Sequence, residues 1–201
     1  SILSTGIEGR IDPFYYKKEF RNFYNKIHSK KIKFKKIEEV SKVICGPFGS
    51  LITVKDYKTE GVPLIRISNI EDNHLSKDNI VFISEEQAEN LSSYKVKKGD
   101  LIISQRGTLG LAVQIDGSFD GSVISANFIA IKNLEEISSE FLQIILSSKL
   151  GQMQLLRKTS GQVQTKITTA DIKTIEIPII TEEKQKEIIN KIKEGYRKKK
   201  E

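Results

Sequence analysis

The sequence lacks the residues on which most disulfide and metal chemistry in proteins depends. Its 201 residues include a single cysteine, Cys45, and two histidines, His28 and His74. One cysteine excludes a disulfide within the chain, and neither histidine has a Cys or His at ligand spacing. The sequence therefore predicts no disulfide and no metal site, and we expect Cys45 to be a buried or inert thiol in a reducing compartment.

The sequence also lacks glycine-rich nucleotide-binding motifs and long apolar runs. The chain contains neither G-x-x-x-x-G-K-[ST] nor a G-x-G-x-x-G that follows a strand. No apolar run approaches the roughly 18 residues of a membrane span, and no signal peptide pattern opens the chain. We therefore expect a cytoplasmic protein with no cofactor and no catalytic centre of its own.

Positive charge is what the sequence has in excess. Lys and Arg number 33 against 26 Asp and Glu, which gives a formal net charge of +7, and 38% of the residues are hydrophobic. That composition is typical of a globular protein with a proper core. A polyanion is the natural partner of such a chain, and a membrane surface is a poorer one because no basic helix has a rich apolar face.

Hydrophobic periodicity divides the chain into three parts. Residues 1–30 predict a loose arm and a helix that starts at Asp12, and residues 31–180 predict a β-rich α/β (α+β) domain of short strands and helices. Residues 181–201 predict one long helix, and a helix of that length at a chain end needs a partner helix. Its predicted pairing stripe consists of Ile188, Ile189, Ile192 and Tyr196.

Several local assignments can be checked directly. Residues 101–103 predict a buried strand, and Ser84 with Gln87 forms a capping box that starts a helix. Residues 51–54 predict a strand, and residues 111–115 are expected to pair with 122–131 across glycine turns. A short helical turn is expected over residues 38–44, and a single helix from Ser138 or Ser139 to Leu156.

Two strands run into loops that carry polar side chains, and a further polar loop follows later in the chain. The strand at 101–103 leads into a loop bordered by Gly107 and Gly110, the strand at 62–67 ends at Ser68 and Asn69, and residues 159–168 form the second polar loop. Arg and Gln have forked donors and acceptors that match guanine and adenine edges. The candidate DNA-contacting residues are Arg66, Ser68, Asn69, Ser104, Gln105, Arg106, Thr108, Gln162, Gln164 and Lys166, each of which by itself fits an ordinary solvated loop residue equally well.

Six motifs in order resemble the target recognition domain of type I restriction–modification specificity subunits. No single motif is specific, and the order carries the resemblance over nearly the whole chain from about Arg10. The motifs are Arg10-Ile11-Asp12-Pro13 with Tyr15-Tyr16, Gly46-Pro47-Phe48-Gly49-Ser50, the segment 62–70, the segment 99–104 with Arg106-Gly107-Thr108 and Gly110, Ser160-Gly161 with Gln164, and Ile177-Pro178 with Glu182-Glu183-Lys184-Gln185.

The resemblance implies a non-catalytic module that reads one half of a split duplex DNA target. It further implies that paired helices hold two such domains apart and dock methyltransferase and restriction subunits, which bind S-adenosylmethionine and ATP. Complete specificity subunits carry two recognition domains, and this chain has one. It therefore resembles a truncated half, a short half-subunit that dimerises, or the C-terminal recognition domain of a fused methyltransferase–endonuclease; an interaction protein that pairs through its helices without binding DNA is the remaining alternative.

Overall fold

A computed structural model describes residues 32–106, 110–159 and 166–200, together with five isolated positions between 18 and 29. The predicted arm lies outside the described residues. Within the helix predicted from Asp12, the described positions Lys18, Asn22, Phe23 and Asn25 are helical, and the rest of that segment lies outside the described residues. No helix within them has both the length and the apolar character that a membrane span requires.

Short strands and helices alternate along the chain. The strands are β1 (Lys33–Lys36), β2 (Lys42–Cys45), β3 (Val62–Ile65), β4 (Ile70–Glu71), β5 (His74–Leu75), β6 (Val81–Ile83), β7 (Leu101–Ser104), β8 (Ala112–Gln114), β9 (Val123–Ile124), β10 (Phe128–Lys132) and β11 (Glu176–Ile179). The helices are α1 (Glu85–Asn90), α2 (Ser139–Ser147), α3 (Lys149–Thr159), α4 (Thr169–Lys173) and α5 (Glu182–Lys200). This content agrees with the predicted mixture of β-rich body and flanking helices.

An antiparallel sheet in the order β2-β10-β7-β8 forms the centre of the fold. A smaller sheet, β6-β3-β9, pairs β3 with β9 in parallel, and β1 pairs with β11 at another edge. The predicted pairing of residues 111–115 with 122–131 is wrong. The segment between β8 and β10 contains β9, which pairs with β3 in the other sheet. Strand β8 pairs with β7 instead, and β7 lies between β8 and β10.

The central sheet is buried on both faces, which explains the continuous apolar run in β7. Leu101 and Ile103 pack with helices α2 and α4 in one hydrophobic cluster, and Ile102 packs with β3 and β9 in a second. This alternation is the period of two that a strand imposes on its side chains. The buried strand predicted over 101–103 is confirmed, and all three residues have no exposed surface.

Hydrogen bonds from polar side chains decide several element boundaries. The Ser84 hydroxyl accepts from the Gln87 amide at 3.2 Å, as the capping box predicted. The strand predicted over 51–54 is wrong, because Asp56 accepts from the Thr53 amide at 2.6 Å and folds this segment into 3₁₀ turns. Residues 38–44 also differ from the prediction, since a 3₁₀ turn at Ile37–Glu39 leads directly into β2.

The helix predicted to run to Leu156 is broken at Ser148 into α2 and α3. The Ser148 hydroxyl donates to the Ile145 carbonyl at 2.6 Å and accepts from the Leu150 amide at 3.2 Å, which ends one helix and starts the next. Gly151 permits the close crossing, because a Cβ there would lie 2.5 Å from the Ile145 carbonyl oxygen. The two helices therefore pack on the core as a bent pair.

Helix α5 is fastened to the domain along one side. Gln185 is 4% exposed, and its side chain accepts from the Ser138 amide at 2.9 Å and donates to the Glu136 carbonyl at 2.8 Å. Ile189 is 6% exposed within the core, so its predicted role in pairing with another helix is wrong. Successive helical residues are about 100° apart, which turns Ile188, 36% exposed, away from the face on which Ile189 is buried. Tyr196 lies seven residues beyond Ile189, on nearly the same face of the helix, and is 65% exposed.

Candidate nucleic-acid interface

Three strand ends meet around one short turn. Residues 125–128 precede β10, and because β10 is antiparallel to β2 and β7 its start lies beside their carboxyl ends. The parallel pair of β3 and β9 brings the end of β3 to the same turn. The bonds that join the turn to the three strand ends run from Gly46 N to Phe128 O (2.8 Å), from Gln105 N to Asn127 O (2.9 Å) and from Ser125 N to Ile65 O (2.9 Å).

The second polar loop reaches this surface too. The Ile167 amide donates to the Gln105 carbonyl at 3.0 Å, so the last residues of that loop lie beside the end of β7. We call this surface the rim and define it as residues 45–50, 65–69, 104–106, 125–128 and 166–168. The rim brings together segments that are separated by about a hundred positions in the chain, as the sequence interpretation required.

Gln105 holds the rim together from inside. It is 2% exposed, and its side-chain amide donates to the Phe128 carbonyl at 2.8 Å, to the Ala126 carbonyl at 3.3 Å and to the Cys45 sulfur at 3.0 Å. Ser104 is 1% exposed and accepts from the Leu111 amide at 3.2 Å. Neither side chain offers surface to a base edge, so their predicted DNA contacts are corrected to a positioning role.

Asn69 has the same positioning role at the end of β3. Its side chain is fully buried, accepts from the Arg66 amide at 3.0 Å and donates to the Asp78 carbonyl at 3.1 Å. A buried amide with both ends satisfied is expensive to expose. Its predicted DNA contact is therefore corrected as well, and it fixes the 3₁₀ turn that presents Ser68.

Arg106, Ser68 and Lys166 provide accessible polar groups on the rim. Arg106 and Ser68 are exposed, and Lys166 is partly exposed. Arg66 is partly buried: its guanidinium donates to the Asn79 carbonyl at 2.6 Å and lies over the Tyr57 ring at 5.3 Å. Of the predicted arginines, Arg106 thus has the greater freedom to meet a ligand. Thr108, Gln162 and Gln164 lie outside the described ranges.

The sign of the charge on the rim is uniform. Its five segments contain Arg66, Arg106 and Lys166 and no Asp or Glu. By contrast, the nearest acid along β7 is Asp100, at the opposite end of the strand, where burial raises the pKa of its carboxyl. The rim therefore suits a polyanion. Within the described ranges no group of three or more His, Cys, Asp or Glu is arranged to hold a metal ion.

The structure adds rim residues that the sequence prediction missed. Asn127 is exposed in the central turn, and Phe48 is 82% exposed at the end of β2. Cys45 is exposed rather than buried, which corrects one of the two expectations for it. The Gly46-Pro47-Phe48-Gly49 motif was the available signal for Phe48, but sequence alone does not show whether such an aromatic side chain turns inward or outward.

Comparisons with known proteins agree on one family. Residues 29–200 match the model of the type I restriction modification DNA specificity domain. The specificity subunit of the Escherichia coli type I restriction enzyme EcoBI is 24% identical over 137 residues, which cover 68% of this chain and 29% of that subunit. This chain thus spans about three tenths of the curated relative that it matches.

Solved structures share the fold at low sequence identity. A chain from a study of the assembly and conformational transition of a type I R-M system aligns with a TM-score of 0.62 at 17% identity, over 90% of this chain and 45% of that one. The type IIG restriction endonuclease BpuSI aligns with a TM-score of 0.62 at 12% identity, over 90% of this chain and 28% of that one. The same architecture therefore occurs as part of longer chains.

Proposed function

The chain belongs to the type I restriction modification DNA specificity domain family, and from that premise we propose that its rim binds duplex DNA and reads one half of a split target. The observation that carries the proposal is the convergence of three strand ends and a polar loop on one surface. The rim residues themselves include three cations and no acid, and the Asp171 carboxylate lies at the margin, where it accepts from the Thr168 amide at 3.0 Å. Residues far apart in sequence are held there by a bonded framework, which is what a recognition surface needs.

The proposed mechanism separates positioning from reading. Lysines and arginines around the rim neutralise phosphates, and this contribution is strongly salt-dependent and blind to sequence. Arg106 supplies base readout, since a guanidinium matches the two acceptors of guanine in the major groove. Ser68, Asn127 and Lys166 complete the contacts, while Gln105 and Asn69 keep the loops in place.

Catalysis falls to other polypeptides in this proposal. The module directs a methyltransferase and a nuclease, and S-adenosylmethionine and ATP bind to those partner subunits. Residues 31–180 act as the recognition unit, and residues 181–201 as the spacer helix. Ile188, the half-buried Ile192 and Tyr196 form the surface of α5 for pairing with another helix, whereas Ile189 and Gln185 tie α5 to its own domain.

A selection experiment tests the proposal. The chain is mixed with a random-sequence duplex library, bound duplexes are amplified over several rounds, and affinity for the enriched duplex is measured against salt. We expect one enriched motif and a log–log salt slope of about −0.9 for each neutralised phosphate. A matched control is Lys186→Ala, which removes a lysine that pairs with Glu182 at 2.6 Å on α5 and should leave affinity unchanged.

The outcome that contradicts the proposal is equally clear. An interaction protein that pairs through its helices would enrich no motif and would show no affinity for DNA and no salt slope. If the full reading frame encodes an Asn/Asp-Pro-Pro-aromatic motif upstream, the recognition surface belongs to a fused enzyme and the proposed DNA contact is retained.

A further inference from the structure

Phe48 is the most exposed of the large hydrophobic side chains in the described part of the chain, at 82%. It lies on the rim, three residues beyond the Cys45 that ends β2. Leaving a phenylalanine in water forgoes its burial. Two further apolar side chains of the same segment are exposed as well, Leu51 at 47% and Val54 at 77%, and exposed apolar side chains grouped beside a binding surface mark an interaction site. Uncharged apolar surface in the midst of a cationic rim is not explained by phosphate binding.

The segment that carries Phe48 is fastened on both sides. Before it, the Gly46 amide donates to the Phe128 carbonyl at 2.8 Å, and a Cβ on Gly46 would lie 2.3 Å from the Ser125 carbonyl oxygen. Pro47 is buried and fixes its own φ. After it, the Leu51 carbonyl accepts from the Gln87 side chain at 3.2 Å. The backbone is thus held so that the aromatic ring projects, and the ring is presented at little entropic cost.

The segment that carries the ring and the proposed base reader both follow strands that end at the same edge of the central sheet. Strands β2 and β7 flank β10, so their ends are about 10 Å apart, two inter-strand spacings. Arg106 follows one end and Phe48 follows the other. That separation is similar to the roughly 12 Å width of the major groove and to about three base-pair steps. Both side chains can therefore engage the same stretch of one duplex.

Resting on the proposed function, we propose that Phe48 is an apolar wedge that enters the DNA and packs against the bases at one step of the target. Apolar wedges of this kind act by partly unstacking a base step. They release no counterions, because they neutralise no phosphate. The wedge therefore adds affinity that is independent of salt, beside the salt-dependent contribution of the rim cations.

The test compares Phe48→Ala and Phe48→Leu with the unaltered chain on the duplex that the unaltered chain enriches from the random library. We expect Phe48→Ala to bind about tenfold more weakly with the salt slope unchanged. Phe48→Leu keeps an apolar wedge and should retain most of the affinity. Ile32→Ala removes another exposed apolar side chain, 41% exposed just before β1 and outside the rim, and should bind as the unaltered chain does.

A second readout reports the wedge itself. With 2-aminopurine placed at each position of the enriched duplex in turn, fluorescence should rise at one step with the unaltered chain and Phe48→Leu and stay flat with Phe48→Ala. Two outcomes would overturn the wedge and leave the proposed function standing. One is unchanged affinity of Phe48→Ala for the enriched duplex, and the other is a loss of affinity with a shallower salt slope at an unchanged melting temperature. If the unaltered chain enriches no duplex, the proposed function fails and the wedge fails with it.

Discussion

Both ends of strand β7 have a buried polar residue, but only one end also presents an exposed one. At the first end, Asp100 is 7% exposed, its carboxylate accepts from the Lys97 amide at 2.9 Å, and its carbonyl accepts from the Ile115 amide at 2.8 Å. At the second end, Gln105 is buried in the same manner, but the next residue, Arg106, is exposed. At the first end a turn buries the polar residue. At the second end the buried Gln105 is followed by an exposed residue that can contact a ligand.

The difference teaches that polar character at a strand end does not by itself mark a contact. The end of β3 repeats the arrangement, because Asn69 is buried and bonded while Ser68 beside it is exposed. In both cases an amide side chain reaches two or more backbone groups and so takes the inner place. The residue next to the amide, Ser68 beside Asn69 and Arg106 beside Gln105, is left outside, where it is available to a ligand.

The largest effect is expected from removing the anchor at the second end. Gln105→Leu keeps the approximate volume but leaves the Ala126 carbonyl without this donor and removes the bond to Phe128. We expect a loss of about 1–3 kcal/mol in the free energy of unfolding, measured by urea denaturation. Ser68→Ala is the matched control and should stay within about 0.5 kcal/mol of the unaltered chain. A loss of that same small size in Gln105→Leu would mean that the rim does not depend on its anchor.

An effect of similar size, on binding rather than on stability, is expected at the exposed position. Arg106→Ala should weaken binding to the enriched duplex by about 1–3 kcal/mol and weaken binding to a scrambled duplex much less, as expected of a base contact. Arg66→Ala is the comparison, because that guanidinium is engaged by Asn79 and Tyr57 and should affect unfolding more than discrimination. Equal losses on both duplexes would instead make Arg106 a phosphate contact.

Much of the scaffold was predictable because local rules decide it. The buried strand at 101–103, the helix capped by Ser84 and the long helix after Thr181 follow from periodicity and capping. The failure of β8 to pair with the segment that follows it was not predictable, because β9 in that segment pairs with β3, a strand about sixty positions earlier in the chain. The position of Gln105 was not predictable either, since its partners at 45, 126 and 128 come together only in the tertiary structure.

The smallest effect is expected at the first end of β7, and its sign depends on pH. Burial raises the pKa of the Asp100 carboxyl, although the Lys97 amide and Lys132 oppose the shift. The native state therefore keeps this proton to higher pH than the unfolded state, and the contribution of Asp100 to stability falls as pH rises through the raised pKa.

Asp100→Asn keeps an acceptor for the Lys97 amide and cannot ionise. Relative to the unaltered chain, this variant should gain stability, by less than about 1 kcal/mol, as pH rises from about 4 towards neutrality. Melting temperatures of the two chains, measured side by side over this range, isolate the one carboxyl because every other titrating group is shared. If the unaltered chain instead gained stability relative to Asp100→Asn over the same range, attraction of the carboxylate to Lys97 and Lys132 would outweigh the effect of burial. The ionised form of Asp100 would then stabilise this end of β7.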